Sequence, residues 1–218
     1  MKFKIVLLAA KINIREKFNH ILGPIRRRRL MNPYFTIFSN NCWGGHVYRY
    51  FAMPYNTPTV GMYIFSDDYV KFLSDPRRYL SKDLVFISID DSKYSKVLRE
   101  RNTSCPIGRL GDVEIVFLHY KSREEAYSKW NRRKERINWN HIVVKMSQQN
   151  LCTLKAMQNF DMLPYTQKVI LTTKDYGLKC QLIRSDYSGQ EEISNDTNSF
   201  RKGINLVKFI NGNADFKK

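Results

Sequence analysis

The rhythm of apolar and polar positions changes once along the chain. Over residues 1–22, Phe3, Val6, Leu7, Ala10, Ile14, Phe18 and Ile21 recur at helical spacing, with Lys4, Lys11, Arg15 and Lys17 between them. This predicts a basic amphipathic helix, stopped by Gly23-Pro24 and followed by Arg26-Arg27-Arg28-Arg29. From residue 34 short apolar runs alternate with longer amphipathic ones. Strands are predicted over residues 34–39, 59–65, 84–89, 113–120, 141–146 and 169–172, with an edge strand at 93–98 and an antiparallel one at 179–184. Helices are predicted over 45–52, 66–80, 122–137 and 151–160. Ser122 and Glu125 have the spacing of a capping box. Residues 105–112 and 190–199 read as loops, and 204–210 fit either helix or strand.

This alternation predicts an α/β fold: a three-layer, mostly parallel Rossmann-like sheet with helices on both faces and an antiparallel edge strand. Right-handed crossovers then bring the loops after Ser39, Phe65, Ile89, Tyr120 and Met146 to one sheet edge. Ligands bind outside that edge in open α/β sheets. The expected organisation is a basic helix and arginine-rich linker over residues 1–30, then a single α/β domain over 31–218.

Charge changes the picture at one end only. The chain carries 37 basic and 20 acidic residues, net +17. Residues 1–30 hold 9 basic and 1 acidic residue, whereas residues 31–100 hold 8 and 7. A basic end on a near-neutral domain fits an anionic membrane surface, contacted through residues 1–29, better than a nucleic-acid groove through the fold. The four cysteines, Cys42, Cys105, Cys152 and Cys180, lack zinc-ligand spacing, so no metal site is expected. Free thiols fit a reducing compartment, and no run is long and apolar enough to span a bilayer. The expected location is cytoplasmic, peripheral at the inner membrane face.

The stretch Asn40-Asn41-Cys42-Trp43-Gly44-Gly45-His46 ends the first predicted strand and is the leading candidate for chemistry. A helix starting at His46 would favour an anion, or a thiolate at Cys42. Asn40 and Asn41 can hydrogen-bond a sugar or acyl oxygen, and Gly44 and Gly45 let a ligand approach the backbone. His119 and Lys121 follow a strand predicted to end at the same edge, so His119 or His46 can serve as a base beside Cys42. Arg109 and Asp112 form a lesser candidate, as do Asp67-Asp68 and Asp90-Asp91. For each, the plainer alternative is a turn, a cap or a packed side chain. No G-x-G-x-x-G fingerprint or P-loop is present, and the cofactor is unknown.

Four ordered motifs carry a resemblance: residues 38–45 (FSNNCWGG), 55–59 (YNTPT), 108–120 (GRLGDVEIVFLHY) and 129–139 (KWNRRKERINW). Over about residues 25–210 the chain resembles a bacterial family often labelled exopolysaccharide biosynthesis proteins, found among capsule and lipopolysaccharide genes. The resemblance implies an α/β fold and a place in surface polysaccharide assembly; no catalytic residue is carried over from it. The resulting expectation is a transferase acting on a sugar or lipid-linked glycan. The alternatives are a non-catalytic glycan-binding or scaffolding subunit and, third, a nucleic-acid-binding protein.

Overall fold

The computed structural model describes residues 18–214 and residue 216. The helix expected at the N-terminus lies outside them up to residue 17. Residues 18–27 are helical and run through Gly23-Pro24, which does not stop them. Close packing accounts for this glycine: a Cβ on Gly23 would lie 2.5 Å from Ala52 Cβ. Arg26 donates to the Tyr50 carbonyl and stacks 3.9 Å above the Tyr50 ring, and Leu30 is buried in the core. This segment is therefore fastened to the rest of the fold.

The strands form two four-stranded sheets. The first is parallel, in the order β1 (Thr36–Ser39), β6 (Ile142–Ser147), β7 (Gln167–Thr172), β8 (Gln181–Ile183). The second is antiparallel, in the order β2 (Tyr63–Ile64), β5 (Val113–Val116), β4 (Ile107–Leu110), β3 (Val85–Ile87). A single, mostly parallel sheet is thus not formed. The reason is local: β4 and β5 are joined by Gly111-Asp112 alone, with Leu110 opposite Val113 and Gly111 at φ +62°. Two residues can close a hairpin, whereas a parallel pair needs a long crossover.

Both faces of the parallel sheet are buried, as its apolar strands require. Ile37, Val143, Val169 and Leu171 pack with Trp43 and Val47 of α1 (Trp43–Tyr50) and Leu206 and Phe209 of α7 (Leu206–Ile210). Phe38, Val144, Met146 and Ile170 pack with Phe72 of α2 (Ser66–Ser74), Trp130 of α5 (Arg123–Lys134) and Phe160 of α6 (Leu154–Met162). The antiparallel sheet is built from chain lying between β1 and β6.

Smaller departures from expectation have equally direct causes. Residues 66–80 form two helices because Pro76 opens α3 (Pro76–Ser81), capped by Asp75 accepting from Arg78 N at 3.1 Å. Residues 93–98 belong to no edge strand; Tyr94 leads into α4 (Ser95–Glu100), with Leu98 buried. β8 is parallel, not antiparallel, and the Asp161 carboxylate accepts from Lys179 N and Cys180 N where the chain returns to the sheet. Ser122 does cap α5, accepting from Glu125 N at 3.2 Å.

Gly108 was expected in a loop and lies in β4. An added Cβ would sit 2.6 Å from Leu84 Cδ1 and 2.8 Å from Phe117 Cε2. Gly108→Ala is expected to lower unfolding free energy by about 1–3 kcal/mol through overpacking, read as a shifted urea midpoint.

Candidate functional site

The carboxyl end of β1 is a fully hydrogen-bonded turn. Ser39 Oγ donates to Asn41 O at 2.7 Å and accepts from Gly44 N at 3.2 Å. Asn40 is spent on the sheet: its Nδ2 donates to Ser147 O and its Oδ1 accepts from Ser147 N, both at 2.9 Å. It therefore welds β1 to β6 and offers nothing to a ligand. The helix starts at Trp43, so Gly44 and Gly45 lie in its first turn. Gly44 brings α1 against β1, since a Cβ there would meet Ile37 Cγ2 at 3.1 Å and Ser39 Oγ at 3.2 Å. Gly45 packs against Val60.

Asn41 leads inward to a buried polar cluster. Its Nδ2 donates to Asp196 Oδ1 at 2.7 Å, and its Oδ1 accepts from Trp43 N at 3.1 Å and Lys145 Nζ at 3.2 Å. Lys145 is ion-paired with Asp196 and also donates to Ser147 Oγ, which donates to Asp196 Oδ2 at 2.7 Å. Lys145, Ser147 and Asp196 have no exposed surface. Burial alone would raise the Asp196 carboxyl, but Lys145, Ser147 and Asn41 outweigh it and hold the group below its ordinary value. Burial presses the Lys145 ammonium down against the pull of Asp196.

Asp196 comes from the segment between β8 and α7, which crosses the carboxyl edge of the parallel sheet. Ile193 N donates to Gln148 O at 2.7 Å, and Trp43 Nε1 donates to Phe200 O at 2.7 Å. Glu192 accepts from the backbone N–H groups of Asn150 and Leu151. The antiparallel sheet meets this edge through Ile64 N to Asn40 O at 3.1 Å and Ser66 Oγ to Gln149 O at 2.8 Å.

Between the two sheets and the crossing segment lies an open cavity of about 480 Å³. Asn41, Cys42, His46 and His119 all line it, so the structure brings these candidates together. Gln149, Asn150, Glu192, Asn195, Tyr63 and Arg101 are among the other polar residues of its wall. His119 is exposed and anchored by its N–H to Gly61 O at 2.9 Å. Gly61, at φ +73°, makes that approach, and a Cβ there would lie 3.1 Å from Tyr120 Cε2. Lys121 is not part of the group; it lines a separate cavity with Ile89 and Cys105. Of the five expected loops, those after Ser39 and Met146 line this cavity, Ser66 after Phe65 is bonded to Gln149 beside it, and those after Ile89 and Tyr120 lead to the other cavity.

Cys42 is the N-cap of α1, but the helix terminus does not make it a thiolate. Burial, followed by the Asp196 charge, pushes the thiol up to about 11. The other candidates are occupied. Arg109 pairs with Glu114 at 3.0 Å, Asp112 with Lys71 at 3.0 Å, and Asp68 with Lys93. Among the described residues no cluster of His, Cys, Asp and Glu could hold a metal ion.

The family described as Domain of unknown function (DUF1919) matches residues 13–212. The chain belongs to the DUF1919 family. A relative in Haemophilus influenzae (strain ATCC 51907 / DSM 11121 / KW20 / Rd), named "Uncharacterized protein", is 31% identical over 169 residues, covering 78% of this chain and 75% of that protein. Neither name states an activity. The residues of the buried cluster, Lys145, Ser147 and Asp196, are not among the candidates that the sequence offers. One signal was available: Lys145 interrupts the apolar run Ile142–Ser147, and a buried charge needs a partner.

Asp196→Ala leaves Lys145 buried without a counter-charge and is expected to destabilise the fold by about 3–5 kcal/mol in urea unfolding. Asp196 binds fewer protons folded than unfolded, as does Asp112, held at about 2 by Lys71 and Tyr79. Both contributions are full above the ordinary carboxyl value of 3.8 and are lost as pH falls through each group's lowered folded-state value, about 2 for Asp112. A thermal midpoint flat over this range would contradict the assignment.

Proposed function

We propose that this protein is a transferase of cell-surface polysaccharide assembly, acting on a sugar or lipid-linked glycan. The observation that carries this reading is the composition of the cavity at the carboxyl edge of the parallel sheet. Beside the engaged Asn41 and Asp196, its walls present amides and hydroxyls from Gln149, Asn150, Ser194, Asn195 and Thr197, the Glu192 carboxylate and Arg101, with Tyr63 as an aromatic surface. Amides and hydroxyls both donate and accept, which matches a polyhydroxylated ligand. The motif resemblance supplies the pathway.

Glycosyl transfer is favoured over acyl transfer. A thiol held at about 11 is a poor nucleophile near neutral pH, so Cys42 acts as a wall of the site. His119, exposed in the cavity, is the proton-transfer group, with His46 beside it. His119→Ala is expected to abolish surface polymer with folding intact, and Cys42→Ser to retain it. Normal polymer from a folded His119→Ala protein would remove the catalytic proposal.

A second reading, a non-catalytic glycan-binding subunit, draws on the engagement of Asp196 by Lys145, Ser147 and Asn41. It is the reading left standing if polymer survives His119→Ala and is lost in Asn195→Ala.

We place the protein at the cytoplasmic face of the inner membrane. Supporting this are Phe18, Ile21, Leu22 and Ile25, exposed apolar residues at the spacing of one helix face, with exposed Arg28 and Arg29 nearby. Full-length protein is expected to float with anionic phospholipid vesicles at low salt, and Ile21→Glu with Ile25→Glu to stay in the pellet. Absence of wild-type flotation would remove membrane contact.

A further inference from the structure

The candidate cavity does not end at its histidines. Cys42, His46 and His119 also line a second cavity of about 400 Å³ on their other side, so the two share a wall. The second has a different chemistry. Arg49, Lys129 and Arg133 converge on it, with Tyr55 and Tyr120, and among the described residues no carboxylate lines it.

Arg133 is the informative residue. It lies on α5 and is 7% exposed, yet among the described residues no carboxylate is within ion-pair distance of it. Its contacts are with neutral groups. Nη1 donates to Tyr120 Oη at 2.6 Å, and the guanidinium lies 4.9 Å from the Tyr55 ring centroid. Tyr120 Oη in turn donates to Val60 O at 2.6 Å, so the phenol is fixed and orients the arginine. A guanidinium has five donors in a planar fork, and a buried one without a counter-charge is costly unless an anion completes it. Lys129 adds a second cation, although it is bridged to Glu125 at 2.5 Å.

We propose that this second cavity is a phosphoryl subsite. It takes the phosphate or diphosphate of a glycosyl phosphate whose sugar lies in the amide-lined cavity, with His119 and His46 at the junction. The sugar half rests on the carbohydrate reading above; the anion half stands on the cationic wall alone. The spacing of two cavities around a shared histidine wall would place the bond between sugar and phosphate beside His119.

Calorimetric titration of the full chain with inorganic pyrophosphate tests the anion half. Arg133→Gln is expected to weaken binding by about tenfold or more, the scale of one lost charge-assisted hydrogen bond. Lys129→Gln, on a half-exposed residue, is the variant that guards against misfolding and is expected to weaken binding severalfold. Arg28→Gln with Arg29→Gln removes charge outside the cavity and should leave affinity within twofold. No pyrophosphate binding would overturn the proposal. So would equal affinity in wild type and both cavity variants, or an equal loss in the Arg28/Arg29 control. Glucose 1-phosphate is expected to bind more tightly than pyrophosphate, and Asn195→Ala to erase that advantage alone. If the advantage is missing while the Arg133 effect holds, the sugar reading fails and the phosphoryl subsite stands. Uridine diphosphate glucose and farnesyl phosphate, each competed against pyrophosphate, separate a nucleotide-linked from a lipid-linked carrier; displacement by neither would overturn the glycosyl phosphate assignment.

Discussion

Lys145 has no exposed surface, so its ammonium must find its counter-charge inside the protein. Asp196 supplies it from a segment with no regular secondary structure. That requirement organises the carboxyl edge of the parallel sheet. It holds the segment after β8 across the sheet, where Ile193 binds Gln148 and Phe200 accepts from Trp43. It also orients Asn41, whose amide joins Asp196 to the start of α1. Replacing such a pair with apolar residues can be neutral in stability, but removing one partner is not. The pair is therefore best understood as fixing where the crossing segment sits, and hence the shape of the cavity beside it.

Much of this was legible from local pattern. The strand leading into Asn40 and the cap at Ser122 were visible because their determinants lie within a few residues. The convergence of Cys42, His46 and His119 was anticipated on a partly mistaken premise. His119 follows an antiparallel strand, and it reaches the site because Gly61 binds it where the two sheets meet. The second sheet escaped notice because Gly108 and Gly111 look alike in sequence. One is demanded by packing and the other by a two-residue turn. Asp196 could not be read at all. It lies in a polar stretch, and its partner is a lysine 51 residues away whose own need for a counter-charge was the available clue.

Polar groups that hold the fold differ from those facing open space in having their hydrogen-bonding capacity used. Asn40, Asp68, Glu114 and Asp112 are each satisfied by backbone or side-chain partners. Sequence alone could not distinguish them from Asn195, His119 or Arg133, because residue type says nothing of whether hydrogen-bonding capacity is already used.

The placement of the antiparallel sheet between β1 and β6 also bears on how the chain is made. All pairings of that sheet fall between Tyr63 and Val116, so it can close early during vectorial synthesis from the amino end. β1 emerges before any of them, yet its sheet partner among the described residues begins at Ile142. A buried, apolar strand must therefore wait, unpaired, while an entire subassembly forms behind it. Long-range parallel pairing of this kind is slow and leaves edges open to other chains. The nascent protein's most vulnerable interval runs from the appearance of Thr36 to that of Ser147, and Asp196, made later, then pairs with Lys145 of β6.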